Sequence, residues 1–121
     1  MSKDFTGKHI LIVEDEYFVG ADLVQSLVDA GAEAVLVNTA AAASARLAEA
    51  KFDAAILDIH LQDESTYPLA DTLRRKSIPF LFLSGYLTIR EGYTDIPFVD
   101  KPFTTETVTN ALKSLLAQPT R

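Results

Sequence analysis

The chain contains no cysteine, which excludes disulfide bonds and thiolate metal sites and fits a reducing compartment. It also lacks long hydrophobic runs: no stretch approaches the ~20 apolar residues of a membrane span. The opening residues, Met1 to Lys8, have no apolar core of the kind a secretory leader carries. A cytoplasmic protein with no membrane partner is therefore expected. Basic residues are in the minority, 11 Lys and Arg against 17 Asp and Glu, for a formal net charge of -6. Nucleic acid is a poor partner for such a chain, because phosphate contacts need a basic patch. The single basic cluster, Arg74-Arg75-Lys76, reads as the end of a helix, where cations suit the helix dipole. What is present is a chain of 121 residues, 48% hydrophobic and 23% charged. That composition describes one globular domain spanning residues 1–121, long enough for a single substantial core.

Short apolar runs alternate with helix-like segments. The run His9-Ile10-Leu11-Ile12-Val13 reads as a buried strand that stops abruptly at Glu14-Asp15-Glu16. Beyond it Val19, Leu23 and Leu27 recur every four residues, a helical spacing, and Gly31 supplies the stop. Ala34 to Val37 predicts a second strand, and Thr39 is placed to cap an alanine-rich helix reaching about Ala50. Ala54-Ala55-Ile56-Leu57 predicts a third strand ending at Asp58, and Pro68 sits where a first helical turn tolerates proline. Phe80 to Leu83 and Phe98-Val99 predict two more strands. A last helix from about Thr104 carries Val108, Ala111, Leu112, Leu115 and Leu116 on one face. Strands that are apolar throughout imply burial on both faces, and their alternation with helices implies a parallel sheet. The expected fold is an open α/β sheet with helices on both sides and a ligand site beyond the carboxyl ends of the strands.

That edge collects the chemistry. Glu14, Asp15 and Glu16 follow the first strand, Asp58 the third, Ser84 the fourth, and Lys101-Pro102 the fifth. Taken singly, each has an ordinary structural reading: a solvated helix start, a turn aspartate, a turn serine before glycine, a loop dipeptide. In combination they describe a site. Clustered carboxylates repel one another, and their natural complement is a hard divalent cation with oxygen ligands, Mg2+ above all. A lysine and a hydroxyl beside that cation could hold further oxyanions. The set suits a phosphoryl group on Asp58, with the metal and Lys101 neutralising its oxygens and Ser84 donating a hydrogen bond.

On these residues the chain resembles a response-regulator receiver domain over essentially its whole length. The acid pair matches Glu14-Asp15, the phosphoacceptor Asp58, the hydroxyl Ser84, and the lysine Lys101 before Pro102. The resemblance implies a flavodoxin-like, five-stranded parallel sheet in the order 2-1-3-4-5. It implies transfer of a phosphoryl group from the phosphohistidine of a histidine kinase or phosphotransfer protein, with the receiver supplying Mg2+ and the catalytic groups for its own phosphorylation and dephosphorylation. It further implies that Asp15, Asp58 and the backbone carbonyl of His60 ligate Mg2+ directly, while Glu14 acts mainly through metal-bound water. Phe82-Leu83-Ser84-Gly85-Tyr86 with Lys101-Pro102-Phe103 is also similar to the receiver subgroup named for a Phe-Ala-Thr-Gly-Tyr motif, which is associated with kinases of the HWE type. Leu83 and Ser84 depart from the named alanine and threonine, and Ser84 keeps the hydroxyl. Asp63 stands where a glycine is common.

Three rival readings use the same residues: a receiver cut from a hybrid kinase or longer regulator, a haloacid-dehalogenase-type phosphotransferase, and a pseudo-receiver that only binds partners. The second requires an acid two residues after the nucleophile, where this chain has His60; the complete residue set opposes the third. Because the chain stops soon after its last helix, no attached output domain is expected, and output is expected to be a change of surface toward an unidentified downstream protein, or simply the removal of phosphoryl groups from a kinase. Between Ser84 and Phe98 stand Gly85, Gly92 and Pro97, all unfavourable to helix, so a short or irregular fourth helix is expected there. The switch is expected to draw Ser84 inward and order the mobile segment from Tyr86 to Tyr93. Phe98 or Tyr86 would then fill the vacated space, unless Phe98 is simply core.

Overall fold

The structure, a computed structural model, describes residues 4–61, 64–85 and 89–118. In chain order these form β1 (His9–Val13), α1 (Tyr17–Asp29), β2 (Glu33–Val37), α2 (Ala40–Glu49), β3 (Ala54–Asp58), β4 (His60–Leu61), β5 (Glu64–Ser65), α3 (Tyr67–Arg75), β6 (Phe80–Ser84), β7 (Phe98–Asp100) and α4 (Thr105–Leu116). Five strands make one parallel sheet in the order β2-β1-β3-β6-β7. This is the expected order, since the two extra strands, β4 and β5, form a separate two-residue antiparallel hairpin. Nothing in the apolar pattern announced that hairpin.

Side chains of successive strand residues point to opposite faces, and the core divides accordingly. Leu11, Val13, Ala55, Leu57, Phe80 and Phe82 pack with Ala43 and Leu47 of α2 and with Tyr67, Ala70 and Leu73 of α3. Ile10, Ile12, Ala54, Ile56, Leu81 and Leu83 pack with Leu23 and Leu27 of α1 and with Val108 and Leu112 of α4. Each face of the sheet is thus covered by a helix pair, which is why the three central strands are apolar from Ile10 to Val13, Ala54 to Leu57 and Phe80 to Leu83, with polar residues only at their ends. The alanine run that opens α2 is mostly surface, but Ala43 is wholly buried.

The caps follow the sequence. Thr39 accepts the Ala42 amide at 3.0 Å, and Thr104 accepts the Thr107 amide at 3.1 Å, contacts typically worth ~1 kcal/mol each. Gly31 ends α1 at a φ of 99°, a conformation costly for any residue with a Cβ. Arg74 and Arg75 lie in the last turn of α3, and Arg74 pairs with Asp95 at 2.7 Å.

Residues 89–97 contain no helix, in line with the expectation of a short or irregular fourth helix. They are nevertheless tied to α3: Arg90 donates its amide to the Tyr67 hydroxyl at 2.9 Å, and Tyr93 donates its hydroxyl to Asp71 at 2.6 Å. The Arg90 guanidinium lies 4.2 Å from the Tyr67 ring centroid. Phe98 is 49% exposed, so the reading of Phe98 as core is corrected. In a three-residue strand Val99 turns inward, and the pleat sends Phe98 out.

Candidate phosphoacceptor site

The site forms where three strands of the parallel sheet end together. Val13 is in register with Leu57, and Asp58 with Leu83. The residues just beyond β1, at the tip of β3 and at the tip of β6 therefore share one edge. Ser84 pairs with Asp100 on β7, and the Lys101 amide donates to the Ser84 carbonyl at 2.6 Å. That bond brings the lysine beside the hydroxyl residue and turns it toward the sheet tip.

Asp58 is 3% exposed. Its Oδ2 accepts the Lys101 ammonium at 2.7 Å, and its Oδ1 accepts the His60 amide at 3.1 Å. Lys101 Nζ also lies 3.9 Å from Glu14 and 4.0 Å from Glu16. Burial works against the lysine's charge, but the hydrogen bond and charge of Asp58, with Glu14 and Glu16, raise its pKa on balance.

Glu14 is the most constrained acid. It is 1% exposed; Oε1 accepts the Glu16 amide at 3.0 Å, while Oε2 is buried without a hydrogen-bond partner. Burial pushes its pKa from 4.5 up to about 7; the Asp58 charge adds to the rise, and the Glu16 amide and Lys101 oppose it.

Carboxylate oxygens of Glu14, Asp15 and Asp58 lie within 4.8 Å of one another, a grouping that could hold a metal ion. The donors are all hard oxygens, and one of them is a buried acceptor lacking a hydrogen bond. This set fits a small divalent cation such as Mg2+, whose arrival would relieve the repulsion among the three acids.

The structure brings together Glu14, Asp15, Asp58, Ser84, Lys101 and the backbone of His60. Ser84 is buried at the tip of β6, and the His60 side chain is exposed. Phe98, on the exposed side of the edge strand, is not gathered into the group, and Tyr86 and Asp63 lie outside the described residues. Two further residues belong here. Glu16, which the sequence places at this edge but outside the acid pair Glu14-Asp15, reaches the lysine at 4.0 Å. Thr66 is buried, and its hydroxyl donates to the carbonyls of Asp58 and Ile59 at 2.8 and 3.1 Å. No motif in the sequence marks it.

Residues 10–113 match the response regulator receiver domain family. Curated protein sequences offer no significant match. Among solved structures, SdrG from Sphingomonas melonis Fr1 is 37% identical, with 97% of this chain and 100% of that chain covered and a TM-score of 0.75. A response regulator receiver protein from Sinorhizobium medicae WSM419 is 28% identical, with 90% and 94% covered and a TM-score of 0.80. The non-phosphorylated HemR receiver domain from Leptospira biflexa is 25% identical, with 93% and 96% covered and a TM-score of 0.82.

Proposed function

This chain belongs to the response regulator receiver family, and we propose that it accepts one phosphoryl group onto Asp58 from the phosphohistidine of a histidine kinase or phosphotransfer protein. The observation that carries this reading is the Asp58 carboxylate, buried at the tip of the central strand and 2.7 Å from Lys101 Nζ, with two further acids beside it.

A carboxylate oxygen of Asp58 attacks the phosphorus, and the bond from phosphorus to the histidine nitrogen breaks, leaving an aspartyl phosphate and a neutral imidazole. Lys101 donates to Asp58 Oδ2 at 2.7 Å and then follows the charge onto the phosphoryl oxygens. Ser84, held beside Lys101 by the pairing of β6 with β7, donates its hydroxyl to a second phosphoryl oxygen. Asp15, Asp58 and the His60 backbone carbonyl would hold Mg2+, with Glu14 acting through bound water. When present, Mg2+ supplies neutralisation of the charge on the transferring group. The same residues serve the reverse need, hydrolysis of the aspartyl phosphate by water.

The donor we favour is a kinase of the HWE type, on the likeness of Phe82-Leu83-Ser84-Gly85-Tyr86 to the corresponding receiver motif, and the setting is the cytoplasm. Output is a phosphorylation-dependent change of surface, with Ser84 drawn toward the phosphoryl group and the chain beyond it rearranged to engage a downstream protein. A net charge of -6 makes nucleic acid a poor direct target.

Incubation with acetyl phosphate and Mg2+, followed by intact mass, tests the reading. One phosphoryl group is expected on the native chain, none in excess chelator, and none on a folded Asp58→Asn variant. Full labelling of that variant would overturn the assignment.

A further inference from the structure

Thr66 stands at the N-cap of α3 but makes no side-chain cap bond. Threonine at that position ordinarily accepts an amide of the first helical turn. Here the need is reduced, because Pro68 has no N–H to satisfy and the Tyr67 amide is taken by the Ser65 hydroxyl at 3.2 Å. The Thr66 hydroxyl, wholly buried, turns the other way and donates to two successive carbonyls, those of Asp58 at 2.8 Å and Ile59 at 3.1 Å. The Thr66 amide adds a third bond, to Ile59 O at 3.2 Å.

The consequence follows from the planar trans peptide, in which C=O and N–H point in opposite directions. Holding the Asp58 carbonyl toward Thr66 sends the Ile59 N–H the other way, where it meets Leu83 O at 3.1 Å. Holding the Ile59 carbonyl toward Thr66 sends the His60 N–H toward the Asp58 side chain, where it donates to Oδ1 at 3.1 Å. With Oδ1 occupied by that amide, Oδ2 is the oxygen left for Lys101 at 2.7 Å. Two peptide planes are thus clamped between Thr66 and the site, and the orientation of the Asp58 carboxylate is the result. The neighbouring hairpin is braced from its far side as well, where Glu64 accepts the Ala40 amide of α2 at 2.8 Å.

We propose that Thr66 is a positioning residue for phosphoryl transfer: through the Ile59–His60 peptide it sets the rotation of the Asp58 carboxylate and the direction of the backbone at His60. This rests on the reading of Asp58 as phosphoacceptor. Thr66 touches neither donor nor phosphoryl group, so its effect falls on how often the carboxylate is aligned for attack, and small misalignments at a reacting centre cost rate steeply.

The test compares the native chain with Thr66→Val, which keeps the shape and removes the hydroxyl, and Thr66→Ser, which keeps the hydroxyl. Phosphorylation rates by intact mass are read across a range of acetyl phosphate concentrations in saturating Mg2+, and His60 amide exchange is followed by NMR. Thr66→Val is expected to lower the limiting rate about tenfold or more at an unchanged half-saturating concentration, the signature of a lost transition-state alignment, and to speed exchange of the His60 amide. Thr66→Ser is expected to stay within about twofold of the native rate. A folded Thr66→Val that labels at the native rate, or a folded Thr66→Ser as slow as Thr66→Val, overturns the proposal while leaving Asp58 as phosphoacceptor. Failure of the native chain to label at all overturns both readings together. Should Thr66→Val not fold, Thr66→Ala, which puts no new methyl group against the two carbonyls, carries the same comparison with the same outcomes.

Discussion

Replacing Glu14 by glutamine is expected to stabilise the metal-free protein, and only at neutral to alkaline pH. The Glu14 carboxyl is buried, one oxygen has no hydrogen-bond partner, and burial carries its pKa from 4.5 to about 7. A carboxyl whose folded pKa lies above its unfolded value binds its proton more tightly in the folded state. Its favourable contribution is therefore complete below about pH 4.5 and is lost as the pH rises through about 7. The gap between those values corresponds to on the order of 3 kcal/mol once Glu14 is fully ionised. Glutamine has no charge to bury and escapes that loss. In a domain of this size 1 kcal/mol moves Tm by about 4 °C, so Glu14→Gln is expected to melt about 10 °C above the native chain near pH 8.5 and close to it near pH 4.5. Lys101 titrates above this window, since its pKa is raised from 10.5, and it stays charged throughout. Thermal melts in excess chelator across that range supply the measurement. A variant less stable than the native chain at pH 8.5, or a difference independent of pH, would refute the reasoning.

Asp15→Asn removes one of the three clustered acids and is expected to raise the Tm of the metal-free protein while abolishing most of the stabilisation by Mg2+, which in the native chain reaches about 2.7 kcal/mol at a hundredfold excess over Kd. Thermal melts with and without Mg2+ decide it, and a metal-free variant that melts lower counts against the repulsion account. Leu112→Ala deletes a wholly buried side chain of α4 and is expected to cost about 2–5 kcal/mol in urea unfolding. Beryllofluoride, which mimics the phosphoryl group, is expected to shift the amides of Arg90 and Tyr93 and reduce their mobility in NMR relaxation; unchanged signals would contradict a switch through that segment.

The strands were legible because three of the five main ones, β1, β3 and β6, are nearly or wholly buried, so their apolar runs appear without interruption, and the residues that end them fall at one edge by topology alone. Glu14, Asp15, Asp58, Ser84 and Lys101 could be picked out for that reason. The β4–β5 hairpin could not, because two-residue strands leave no period to detect and His60, Glu64 and Ser65 are ordinary loop residues. Thr66 was hidden because no motif marks it, and its turn toward Asp58 is a tertiary choice made possible by Ser65 and Pro68. Glu16 was grouped with that edge but left out of the acid pair Glu14-Asp15, because its distance of 4.0 Å to Lys101 is a property of the folded sheet edge. Phe98 sits in a strand too short for alternation to be read, and only the inward position of Val99 decides that it faces out.

The central claim is that Asp58, and neither of the acids beside it, carries the phosphoryl group. The most direct measurement treats the native chain with acetyl phosphate and Mg2+, then reduces it with borohydride, which converts an aspartyl phosphate to homoserine with release of phosphate. Peptide mass spectrometry then locates the homoserine. The account predicts homoserine at position 58 and nowhere else; homoserine at position 15, or a labelled chain with Asp58 unchanged, would contradict it.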